Sequence, residues 1–112
     1  MSGAYYTIKM GTDSGMLRFE PAELTIKPGD TVKFVHNGPQ DVVPPYNAVF
    51  DPTGVPNGDK ALARELSHYK MLFDVGESYE TTFPLDAPPG TYPYYSQPQQ
   101  KGGMVGKIIV EG

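Results

Sequence analysis

The chain has 112 residues and a formal net charge of −4, enough length for one modest core and the wrong charge for nucleic acid or an anionic membrane, both of which need a basic face. Cysteine is absent, which excludes disulfides, zinc–thiolate sites, iron–sulfur clusters and a Cys nucleophile. Thirteen Gly and twelve Pro fall mostly between short apolar stretches, about as often as a many-stranded β protein needs turns.

The first predicted strand is "AYYTIKMG", alternating around Tyr6, Ile8 and Met10 and stopped by "GTDSG". "MLRFEP" reads as a short strand with Leu17 and Phe19 on one face. "AELTIKPGDTVKFVHNG" holds two strands about the turn Pro28-Gly29-Asp30, with Leu24 and Ile26 before it and Val32 and Phe34 after it. In "PQDVVPPYNAVFDPTGVPNG" the prolines leave "NAVF" as the one stretch able to join a ladder.

"DKALARELSHYKM" carries the one helical pattern, about two turns, with Ala61, Leu62 and Leu66 on the apolar side and Arg64 and Glu65 opposite. Strands resume with Tyr79, Thr81 and Phe83, turn at Pro88-Pro89-Gly90, and continue through Tyr92 and Tyr94. "MVGKIIV" closes the fold, offering Val105, Ile108 and Val110 to the core. The expectation is an all-β Greek-key sandwich of about seven or eight strands with one short helix, a single domain over residues 1–112. No stretch approaches the roughly 18 apolar residues of a membrane span, and "MSGAYYTIKMG" has no basic region leading into an apolar one.

The segments "KMGTDSGMLRFEPAELTIKPGDTVKFV", "PPYNAVFD", "LSH", "GESYETTFPLDAPPGTYPYY" and "GGMVGKIIVEG", in that order, resemble the plastocyanins of cyanobacterial type, small blue-copper electron carriers of the cupredoxin fold. The family takes copper from a His in a "PPHN" segment and from a closing Cys-x2-His-x4-Met loop. A thiolate, two imidazoles and a weak thioether together tolerate both copper oxidation states. Carried onto this chain, the first His position is Tyr46, the Cys is Ser96, the second His is Gln99, and the Met is Met104.

Three strong donors are thus three weak ones. A serine hydroxyl is not ionised near neutral pH, a glutamine amide is a poor donor, and a phenol ionises only near pH 10. Met104 alone cannot hold copper, so no metal cofactor is expected. Tyr46 and Gln99 should instead fill and hydrogen-bond the old pocket. Of the two histidines, His36 ends the "TVKFV" strand and His68 lies in "LSHYK"; both read as surface or capping residues rather than replacement ligands.

Other chemistries fare worse. Ser96 has no His or Lys base near it in sequence, so catalysis is not expected. "GTDSG" and "DPTGVPNGD" lack the spacing of a calcium loop and read as turns. Tyr92, Tyr94 and Tyr95 lack basic interleaving, and alternation sends Tyr92 and Tyr94 to one packed face.

The resemblance also implies a docking end, where cytochrome f and photosystem I approach the family's copper. An Arg that typically follows the second His there is replaced by Gln100, followed by Lys101. The candidate partner surface comprises Leu17, Pro45, Tyr46, Pro98, Gln99, Gln100 and Lys101. The expectation is a monomeric, copper-free and redox-inactive scaffold or binding module, a divergent paralogue or an engineered variant, that is not an enzyme and has a protein partner at that end. By resemblance it belongs to the thylakoid lumen or periplasm. The alternatives are the family's electron carriage between cytochrome f and photosystem I, or a subunit docked on a photosynthetic complex.

Overall fold

The computed structural model describes residues 3–39 and 43–112. Among the described residues nine strands form two sheets, with one short α-helix. Strands β1 (Tyr5–Met10), β2 (Phe19–Glu20), β4 (Thr31–His36) and β7 (Ser78–Thr82) make a four-stranded sheet in the order β2-β1-β4-β7. Strands β3 (Glu23–Ile26), β5 (Tyr46–Phe50), β6 (His68–Leu72), β8 (Gly90–Tyr95) and β9 (Val105–Val110) make the second sheet, in the order β3-β9-β8-β5-β6. Helix α1 (Lys60–Leu66) starts on Asp59, whose carboxylate accepts from the Leu62 amide at 3.1 Å and so satisfies one of the orphan donors of the first turn.

Alternation decides which side chains enter the space between the sheets. Val32, Phe34 and His36 point inward from β4, Tyr92 and Tyr94 from β8, and Ile108 and Val110 from β9. The Tyr94 ring ties the layers together, 4.6 Å from Phe19 and 5.4 Å from Phe34 of the facing sheet and 5.3 Å from Phe50 of its own. Each buried ring of this size stabilises the fold by about 1.5–3 kcal/mol through water exclusion. The register partner of Tyr94 on β9 is Gly106, where a Cβ would lie 2.6 Å from the tyrosine hydroxyl; glycine there makes room for the ring.

Several sequence expectations need correction. Leu17 lies before β2 and is 44% exposed, so it does not share the buried face of Phe19. Ala63 rather than Ala61 joins Leu62 and Leu66 on the buried side of α1. Val105 has the opposite parity to Ile108 and Val110 and faces solvent. His36 is completely buried instead of being a surface or capping residue. It continues the inward series of Val32 and Phe34, and the same period of two would have placed it.

The other histidine closes one open side of the sandwich. His68 on β6 stacks on Tyr79 of β7 with ring centroids 3.9 Å apart, and its Nε2 lies 2.8 Å from the Glu80 carbonyl oxygen and 2.9 Å from Thr81 Oγ1. Tyr79 in turn accepts the Ala48 amide at 2.9 Å. The His68 contacts join the edge strands β6 and β7 of the two sheets, and so His68 acts as a half-buried clasp.

Candidate functional site

Tyr46, Ser96, Gln99 and Met104 converge at one end of the sandwich, from the start of β5 and from the connection between β8 and β9. That connection is a distorted 3-10 turn, Gln97–Gly102, ended by Gly103 in the left-handed region at φ 84°. The Ser96 amide donates to the Met104 carbonyl at 3.2 Å, and the Met104 amide donates to the Gln99 carbonyl at 3.2 Å. Backbone bonds alone therefore hold the loop closed.

Side chains then seal it. The Ser96 hydroxyl donates to Gln99 Oε1 at 2.6 Å and accepts the Asn47 amide at 3.2 Å. Gln99 Nε2 donates to the Pro45 carbonyl at 2.9 Å. Asn47 adds a second link: its Nδ2 donates to Gln97 Oε1 at 2.8 Å and to the Tyr69 carbonyl at 3.2 Å, while its Oδ1 accepts the Gln97 amide at 2.8 Å. Ser96 and Asn47 are completely buried and Gln99 is 8% exposed. Buried amides and hydroxyls satisfied on both sides are neutral cross-links between the β5 segment and the closing loop.

Tyr46 occupies the neighbouring space. Its ring lies 4.8 Å from that of His36, and a Cβ on Gly11 would come within 2.9 Å of its hydroxyl. Gly11 sits at φ 95°, a conformation open to glycine that leaves the phenol room. Burial pushes the Tyr46 phenol above its ordinary ionisation range. His36 Nε2 is 2.8 Å from the Pro44 carbonyl oxygen; a carbonyl only accepts, so Nε2 is the donor, and the other ring nitrogen is Nδ1. No described residue hydrogen-bonds that Nδ1.

The described residues contain no group of three or more His, Cys, Asp or Glu able to hold a metal ion, and no helix among them is long and apolar enough to cross a membrane. Across residues 6–111 the chain matches the model of copper-binding proteins of the plastocyanin/azurin family. The chain belongs to that family. It is 50% identical over 111 residues to a plastocyanin of Nostoc punctiforme, covering 99% of this chain and 77% of that protein. A plastocyanin of Scenedesmus fuscus is 46% identical over 105 residues, covering 94% and 98%. Among solved structures, the oxidised plastocyanin of Dryopteris crassirhizoma superposes with a TM-score of 0.75 at 25% identity, covering 94% of this chain and 99% of that one.

The family's copper does not fit the donors present in this plastocyanin relative. With no cysteine in the chain there is no thiolate, and the oxygens of Ser96 and Gln99 are spent on each other. Burial works against ionising the Tyr46 phenol, and the thioether of Met104 is the one soft donor of the four.

Of the candidate partner surface, Leu17, Pro98, Gln100 and Lys101 are exposed and Pro45 is half-buried. Tyr46 and Gln99, at 1% and 8% exposure, present no side chain to a partner. The Gln99 side chain is bonded to Ser96 and Pro45, and the Tyr46 ring packs on His36. The Asn47–Gln97 pair was missed by sequence reasoning. Its members are 50 residues apart, and no local spacing links them.

Proposed function

We propose that this plastocyanin-family chain is one copper-free cupredoxin domain over residues 1–112, redox-inactive and non-enzymatic, that serves as a scaffold or binding module. The observation that carries this reading is the bond from Ser96 Oγ to Gln99 Oε1, continued from Gln99 Nε2 to Pro45. It spends the atoms at two former ligand positions on joining the loops that a metal would otherwise join. Electron carriage needs a bound redox centre, and this donor set does not supply one.

A protein partner is proposed for the same end, through exposed Leu17, Pro98, Gln100 and Lys101 beside half-buried Pro45. A rigid frame with altered loops at one end is a common way to present a binding surface. The compartment proposed by kinship is the thylakoid lumen or periplasm, and the proposed state in solution is a monomer. Incubation with Cu(II), desalting and metal analysis by mass spectrometry tests the copper reading. Negligible retained copper and no intense visible band are expected. Stoichiometric copper with a reversible redox wave would instead overturn this reading in favour of the alternative, a photosynthetic electron carrier.

A further inference from the structure

The sequence contains two Asn-Gly pairs, Asn37-Gly38 and Asn57-Gly58, and the fold treats them in opposite ways. Such pairs are prone to imide formation, because a glycine nitrogen meets little hindrance in reaching the neighbouring side-chain amide carbon. Asn37 Nδ2 donates at 2.9 Å to the Gly11 carbonyl and at 2.9 Å to Asp13 Oδ1, and its backbone amide donates to Met10 at 3.0 Å. Gly38 is crowded as well, since a Cβ there would lie 2.7 Å from Val43. Asn57 is exposed in the short turn Pro56–Gly58, and its side chain makes no hydrogen bond among the described residues. It sits at φ 63°, ψ 9°, followed by Gly58 with no atom within 4 Å of the place a Cβ would take.

We propose that Asn57 is a site of spontaneous deamidation and that Asn37 is protected from it. The Gly58 nitrogen loses its proton to solvent base and attacks Asn57 Cγ. The new N–Cγ bond forms as the Cγ–Nδ2 bond breaks and ammonia leaves. Water then adds to either carbonyl of the cyclic imide, giving an aspartyl or isoaspartyl residue with no change of oxidation state. In the closed turn the Gly58 amide donates to the Val55 carbonyl at 3.0 Å, so attack proceeds from the opened turn. Opening loses that bond and the longer one, 3.4 Å, from the Asp59 amide to the Pro56 carbonyl, a small local cost in an exposed turn.

Each event adds a negative charge two residues before Asp59, the cap of α1. The isoaspartyl product also lengthens the backbone just before that cap. The site is remote from the Ser96–Gln99 bond: Pro56 packs by Gly90 at the start of β8, whereas Ser96 follows its end.

Peptide mapping by mass spectrometry of the folded full chain, after incubation at mildly alkaline pH in heavy-oxygen water, tests this. The peptide carrying Asn57 should gain label and split into two isomers, the Asn57→Gln variant should gain none, and the peptide carrying Asn37 should stay unchanged until the chain is unfolded. An unmodified Asn57 in the folded chain while the unfolded chain reacts would overturn the proposal. Equal reaction at Asn37 and Asn57 in the folded chain would overturn it too.

Discussion

Tyr94 and Ser96 stand two residues apart on β8 and just beyond it, both at 1% exposure or less, yet their hydroxyls fare differently. The Tyr94 hydroxyl has no hydrogen-bond partner among the described residues, and burial pushes its ionisation far above the ordinary phenol range. Ser96 accepts from Asn47 and donates to Gln99. The Tyr94 ring is held by packing despite its polar tip, so the frame tolerates a local cost. At the loop end the polar atoms of Ser96, Gln99, Asn47 and Gln97 answer one another, so the two substituted positions, Ser96 and Gln99, sit in a satisfied network.

That contrast can be broken by mutation. The largest effect is expected for Tyr94→Ala, which empties the space between Phe19, Phe34 and Phe50 and should cost about 3–5 kcal/mol in urea unfolding. A loss under about 1 kcal/mol would mean that the ring is not the tie between the sheets. Gln99→Leu should cost about 1–3 kcal/mol, because it leaves the Ser96 hydroxyl without an acceptor and the Pro45 carbonyl without a donor in a buried place. No loss of stability would show that the bonds at this end are not cross-links. Tyr94→Phe should go the other way, raising stability by up to about 1 kcal/mol through removal of the orphaned hydroxyl; destabilisation would reveal a partner for it.

The smallest expected effect concerns His68, whose pKa is lowered below its ordinary 6.5 chiefly by burial, with the Glu80 carbonyl bond opposing. Just below pH 6.5 the unfolded chain binds a proton that the folded chain does not. Stability contributed by the neutral ring is therefore complete above that pH and falls as the pH drops toward the lowered folded value. His68→Gln should flatten this part of the stability–pH curve, and an unchanged slope would assign it to other groups.

Much of this was legible in the sequence, for identifiable reasons. Alternation placed Tyr92, Tyr94, Val32 and Phe34 inside, and the turn residues set the strand spacing. It failed where parity was misjudged, at Val105, and where polarity was taken for exposure, at His36. The Asn47–Gln97 and Gln99–Pro45 bonds span 50 and 54 residues. Such bonds depend on how two loops meet in three dimensions, which neither periodicity nor turn chemistry records.

Thermal unfolding with and without one equivalent of copper tests most directly whether internal hydrogen bonds stand in for the metal. A Tyr46→His, Ser96→Cys, Gln99→His triple variant, which restores the family's donor types, provides the reference. Binding to the folded state alone must raise the melting temperature. The account predicts no shift for the native chain and an upward, chelator-reversible shift for the triple variant. A chelator-reversible rise in the native chain itself would contradict it.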